Sequence, residues 1–111
     1  MIYAQKLIDK YPDVITGYYQ KGRVYEEQKL FKEAVEQYIL ACNTKINCEL
    51  NLVTAYEHLA LSYYASNEKD LAAEFAGKAL DIYNLYWIPD YLKEKILKLE
   101  NIKNGISNQE P

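Results

Sequence analysis

Aromatic and small residues recur along this chain at matched spacings. Tyr18-x-x-Lys21-Gly22-x-x-Tyr25 aligns with Tyr56-x-x-Leu59-Ala60-x-x-Tyr63. Sixteen residues after the first aromatic stand Ala34 and Ala72, and Ala41 and Ala79 follow seven residues later. The spacings are helical. Residues three and four apart share a helix face, and small residues among bulky ones let two helices pack closely. Each copy therefore reads as two short helices folded back on each other. Such a hairpin cannot bury its apolar face alone, so copies of it must stack.

The rest of the chain supplies the material for a stack. Ile2, Tyr3, Leu7, Ile8 and Tyr11 give residues 1–11 one apolar face, and Pro12 ends that helix because the residue before a proline is pushed out of the helical region. Asp13 is the expected cap of the second helix, about 14–28, with Tyr18, Gly22 and Tyr25 on one side. Gly22 costs a helix interior ~1 kcal/mol relative to alanine, and the expected return is close approach of a neighbouring helix. Lys29 and Leu30 form a tight turn. A third helix, about 31–43, turns Phe31, Ala34, Val35, Tyr38, Ala41 and Cys42 inward. Asn47 is the expected cap of a fourth helix, about 48–66, carrying Leu52, Tyr56, Leu59, Ala60 and Tyr63. Ser66 and Asn67 turn the chain into a fifth, about 68–86, carrying Leu71, Ala72, Phe75, Ala76, Ala79 and Ile82. Pro89 suits the first turn of a sixth helix, where its missing N–H costs nothing. Leu92, Ile96, Leu99 and Ile102 mark its apolar face, and Lys93, Glu94, Lys95, Lys98 and Glu100 its wet one. Trp87 is expected to cover the end of the last hairpin, and the tail 104–111 to be disordered.

Composition excludes several function classes. Lys and Arg are scattered and the net charge is −3, so a nucleic-acid partner has no electrostatic footprint. No apolar run approaches the ~18 residues that span a bilayer. The two cysteines, Cys42 and Cys48, are too few for a disulfide framework and are read as reduced, which points to the cytoplasm. One histidine makes no Cys/His zinc site. No phosphate-binding glycine loop or nucleophile motif is present. Glu26 and Glu27 are adjacent, so they point in different directions round a helix and form no acid/base pair. No cofactor, metal or catalytic residue is implied.

The joint pattern closely resembles the tetratricopeptide repeat, whose signature is an aromatic, then Leu-Gly, then Tyr, then Ala with an aromatic four on, then a late Pro. Tyr18, Gly22, Tyr25, Phe31, Ala34, Tyr38 and Ala41 match in one unit, and Tyr56, Leu59, Ala60, Tyr63, Ala72 and Ala79 in the next. The departures are specific. Lys21 stands for the usual Leu, Ala76 for the usual bulky residue, and Ile46 and Asn84 for the late proline. The units are 38 residues apart rather than the family's 34, an excess of about one helical turn placed near residues 46–50. Pro12 sits where the late proline of an earlier unit belongs, in a DKYPD segment similar to repeat junctions common in bacterial members. The resemblance implies an all-α, right-handed superhelical stack of about six antiparallel helices over residues 1–103. Residues 1–12 are then the second helix of a truncated repeat, 15–47 and 53–86 are full repeats, and 88–103 is a capping helix. A completing helix is expected either upstream, in a longer protein, or from a second copy covering Ile2, Tyr3 and Leu7.

In this family the first helix of each pair lines a concave groove. Off the packing faces stand Tyr19, Gln20, Arg23, Glu26 and Glu27 on one such helix, and Thr54, Glu57, His58, Leu61 and Tyr64 on the next. Aromatic rings beside charged and amide groups suit the capture of a peptide or helix of a partner protein. A family subtype clamps a carboxyl terminus with Lys and Asn. Tyr19, Arg23 and His58 stand at those positions here and make a poor clamp, so that subtype is set aside. The leading expectation is a non-enzymatic protein–protein interaction scaffold. The alternatives are homodimerisation through the open N-terminal edge, or a regulatory repeat segment of a larger protein.

Overall fold

Helical hairpins of this kind need the chain to reverse within a few residues while satisfying the last carbonyls of the outgoing helix. The computed structural model describes residues 2–44, 49–86 and 89–105 and shows two reversals built identically. After helix α2 (Ile15–Glu27), Lys29 takes a left-handed conformation with φ of 64°. Leu30 N–H then donates to Tyr25 O at 2.9 Å and Lys29 N–H to Glu26 O at 3.0 Å. After helix α4 (Glu49–Ala65), Asn67 does the same with φ of 65°. There Glu68 N–H donates to Tyr63 O at 2.8 Å and Asn67 N–H to Tyr64 O at 3.1 Å. Both are the paired long and short bonds of the Schellman closure. They fall on positions that the sequence repeat makes equivalent.

The element order is α1 (Ile2–Lys10), α2, α3 (Phe31–Cys42), α4, α5 (Lys69–Tyr83), a 3-10 turn at Asp90–Leu92 and α6 (Lys93–Lys103). Each helix packs on the next, and α2, α4 and α6 also touch in series. The result is an all-α stack of antiparallel helices, 43 × 30 × 22 Å, with α2, α4 and α6 forming one layer. The bounds of α1 to α5 fall within three residues of those expected, and α6 begins five residues later than expected. Two N-terminal details differ. Val14, not Asp13, occupies the cap of α2, without a side-chain hydrogen bond, and Pro89 precedes a 3-10 turn instead of the first turn of α6. The expected cap Asn47, the position of Ile46, Cys48, Trp87 and the tail beyond Gly105 lie outside the described residues.

The core is built from small residues. Ala34, Ala41, Ala55, Ala60, Ala72, Ala76 and Ala79 are all fully buried, so helix axes approach closely and larger side chains fill the seams. The closest approach is at Gly22. A methyl group there would lie 2.6 Å from the ring of Tyr38 on α3. The equivalent positions of the second hairpin are Ala60 and Ala76, both in the core packed between α4, α5 and α6. The pairing of no side chain with a large ring is thus replaced by two small side chains. That accounts for alanine at 76, the departure noted in the sequence. Phe75 supplies the missing bulk, stacked on Tyr63 at 5.7 Å between centroids and tilted against Tyr56 at 6.0 Å. Lys21, a further departure, reaches back to α1, where its Nζ donates to Gln5 Oε1 at 2.7 Å.

Two expected inward faces are corrected. Leu71 points outward, because Ala72 and Phe75 hold the packing side of α5. On α1 only Ala4 is buried, with Leu7 and Ile8 set against Gly17. Ile2 is 75% exposed and Tyr3 and Tyr11 are also exposed, since the single helix packed on α1 covers one side of it.

The Gly22 notch yields a paired prediction. Gly22→Ala forces a methyl against a ring that is buried and pinned at its hydroxyl, and lowers stability by about 1–3 kcal/mol despite the better helix propensity. Gly77, in α5, has nothing closer to an added methyl than Lys103 Cε at 3.8 Å. Gly77→Ala therefore raises stability by about 0.5–1 kcal/mol. Urea denaturation of both variants measures the contrast.

Candidate functional site

Tyr38 carries the core outward. Its ring fills the Gly22 notch, and its buried hydroxyl reaches the seam of α2 and α4, where it donates to Glu26 Oε1 at 2.6 Å. His58 Nδ1, from α4, lies 2.9 Å from the same oxygen. A carboxylate oxygen only accepts, so Nδ1 bears the proton and Nε2 faces away. The imidazole stacks on Tyr38 at 5.6 Å and meets the edge of Tyr19 at 5.5 Å. Arg23 lies over Tyr19, its Nη1 donating to the Tyr19 hydroxyl at 3.1 Å and its Nη2 standing 3.8 Å from Glu27. Tyr19, Arg23, Glu26, Tyr38 and His58 thus form one connected cluster across α2, α3 and α4. Desolvation acts to raise the Glu26 carboxyl, but the hydrogen bonds from His58 and Tyr38 outweigh it and hold the group below its usual value. Burial and the bond to Glu26 push the Tyr38 phenol far above its ordinary range.

Two hollows flank this cluster on the layer of α2, α4 and α6. One, of about 620 Å³, has Phe31, Leu61, Tyr64 and Leu97 as its apolar lining and Glu26, Glu94, Lys98 and Asn101 as its polar one. The other, of about 240 Å³, is lined by Ile15, Thr16, Tyr19, Gln20 and Thr54. Of the residues singled out from sequence, Tyr19, Gln20 and Thr54 line the small hollow, and Glu26, Leu61 and Tyr64 line the large one. Arg23 and His58 belong to the junction between them, and Glu27 stands at the exposed margin as the partner of Arg23.

Glu57 is not among them. It is 2% exposed and turned into the protein, where the Tyr83 hydroxyl of α5 donates to Oε1 and Lys95 of α6 lies 3.3 Å from Oε2. A single residue step turns a helical side chain by about 100°, and Glu57 falls on the inward side because α6 covers it. Burial raises its carboxyl, with Lys95 offsetting part of the effect. Its role is to anchor α6, and α6 contributes Glu94, Leu97, Lys98 and Asn101, the wall that was not anticipated. A signal for that wall existed. Leu97 falls out of phase with Leu92, Ile96 and Leu99, and it is 57% exposed. Cys42 carries a free thiol packed against the Ile15, Ala41 and Ala55 cluster, and burial pushes its pKa up to about 11, so it stays protonated. None of the helices among the described residues is long and apolar enough to cross a membrane.

The fold matches a solved structure, the N-terminal domain of stress-induced protein-1 (STI-1) from C. elegans. The match has a TM-score of 0.69 and 25% sequence identity, and covers 89% of this chain and 77% of that one. No protein-family model matches the sequence, and no curated protein matches it. Repeat, hairpin closure and structural neighbour agree, and the chain is a tetratricopeptide-like helical repeat.

The two engaged carboxylates titrate in opposite senses. Glu26 is held below its unfolded value, so the stability it contributes is present above the ordinary carboxyl range and is lost as pH falls through the folded value. Glu57 is raised, so its contribution is fully present below the unfolded value and is lost as pH rises through the folded one. Accordingly, the deficit of Glu26→Gln against wild type shrinks as pH falls from about 7 to about 3. Over the same rise from acid to neutral, Glu57→Gln gains on wild type. Denaturation series at several pH values measure both, and profiles parallel to wild type would refute the assignments.

Proposed function

We propose that this chain is a non-enzymatic protein–protein interaction module that seats a peptide or helix of a partner protein along the layer formed by α2, α4 and α6. The observation that carries this reading is the larger hollow. Apolar and polar side chains line it together, and Leu97 is left more than half exposed on the helix that buries Leu99 and Ile102. Aromatic and aliphatic side chains ringed by hydrogen-bonding groups are how an open groove holds a side-chain anchor while fixing the direction of its backbone. The smaller hollow, with Gln20 and Thr54 at its edge, extends the same track past the Arg23–His58 junction and accommodates further residues of the ligand. The likeness to the STI-1 domain supports a module of this kind and leaves the partner open. A second reading has one observation in its favour: Ile2 and Tyr3 stand exposed on α1, an apolar edge suited to a second copy.

Peptides selected from a random display library against the 111-residue chain test the proposal, with their footprint mapped by backbone amide chemical shifts. The expected footprint lies on the α2, α4 and α6 residues that line the two hollows. Leu97→Asp, at an exposed position, weakens binding by about tenfold or more at unchanged thermal stability. A footprint confined to α1, together with concentration-dependent sedimentation abolished by Ile2→Asp, would favour the self-association reading instead.

A further inference from the structure

The ligand's charge follows from how Glu26 is held, and this inference rests on the groove reading just given. Glu26 reaches the larger hollow with a side chain only 20% exposed. Both of its neighbours bond the same oxygen: Tyr38 Oη at 2.6 Å and His58 Nδ1 at 2.9 Å each meet Oε1. Among the described residues no hydrogen bond falls on Oε2. The cations of the same helix make their bonds elsewhere, Arg23 with the Tyr19 hydroxyl and Glu27 and Lys21 with Gln5, so that Arg23 reaches Glu26 only through its charge. The carboxylate is therefore oriented and partly desolvated, with one oxygen unclaimed. A half-buried anion in that condition gains strongly from an incoming cation, because the cost of desolving it is already met in the free protein. The rest of the lining points the same way. It carries a second carboxylate, Glu94, against a single cation, Lys98, on an exposed and flexible stem.

We infer that the groove takes a basic segment, a peptide that sets a lysine or arginine side chain on Glu26 Oε2 with an apolar residue beside it against Leu61, Tyr64 and Leu97. The same geometry turns away an acidic segment or a free carboxyl terminus, whose charge would stand against Glu26 and Glu94. His58 and Tyr38 act here as positioning residues. They aim the carboxylate and use up the oxygen that the ligand does not need.

Short peptide pools, acetylated and amidated at their ends, test this by fluorescence anisotropy. Each pool fixes one leucine beside a residue that is Lys, Arg, Gln or Glu, with the other positions mixed. The Lys and Arg pools should bind about tenfold tighter than the Gln pool, and the Glu pool most weakly. The basic advantage should shrink as salt is raised. It should vanish in Glu26→Gln, whose amide oxygen still accepts from Tyr38 and His58, and survive in Asp81→Asn, which removes the same net charge on the exposed side of α5. If the Gln or Glu pools bind as tightly as the basic ones while Leu97→Asp still abolishes binding, the cation preference is wrong and the groove stands. A basic advantage that persists in Glu26→Gln also overturns the inference. If no pool binds saturably, or Leu97→Asp changes nothing, the groove reading itself fails.

Discussion

The structure depends on the contact between Gly22 and Tyr38. The missing Cβ on α2 leaves room for the Tyr38 ring, and this sets the separation of α2 and α3. The same contact settles where the phenol ends. From a ring so placed, the hydroxyl reaches the seam of α2 and α4 and meets Glu26, and Glu26 in turn holds His58 on α4. One packing decision in the core thus joins three helices and orients the charged centre of the surface. A tyrosine suits this task because its body is apolar and its tip polar, so burial and hydrogen bonding are satisfied by one side chain.

A second buried polar contact completes the arrangement at the other end. Glu57, Tyr83 and Lys95 tie α4, α5 and α6 together. Burying a carboxylate is costly, and the raised protonation of Glu57 records that cost, partly met by Lys95. Its structural effect is to hold α6 against α4, which places Leu97 and its neighbours opposite Leu61 and Tyr64. The two glutamates stand 31 residues apart in the chain and on neighbouring helices of one layer. One faces the hollow with hydrogen-bond donors around it, and the other faces the core with a lysine. Environment, not residue type, separates a ligand-facing anion from a structural one.

The alanine-rich interior also explains how the two hairpins tolerate different solutions to the same packing problem. Gly22 with Tyr38 in one hairpin is matched in the other by Ala60 and Ala76 together with the ring of Phe75. Close packing demands only that the sum be right. The hairpin closures show no such variation. Both reverse the chain through one left-handed residue with the same two hydrogen bonds, because the backbone has few ways to end one helix and start an antiparallel one.

The fold was legible in the sequence because it rests on periodicity. Spacings of three and four, the aligned aromatics at 18, 25, 56 and 63, and the alanines at 34, 41, 72 and 79 are local patterns, and local patterns determine helices and their pairing. The outward strip of α2, with Tyr19, Gln20 and Glu26, followed from the same rule. Three things were decided only by tertiary structure. Glu57 lies one helical step from the outward strip, and the covering of that step by α6 made it a core anchor. The α6 wall at Leu97 required knowing which side of α4 the last helix docks on, a contact between elements that periodicity within each does not specify. The cluster of Tyr38, Glu26 and His58 joins residues from three helices, and its hydrogen bonds depend on interhelical distances set by Gly22. Sequence period determines which residues share a face. Only the packed structure decides what that face meets.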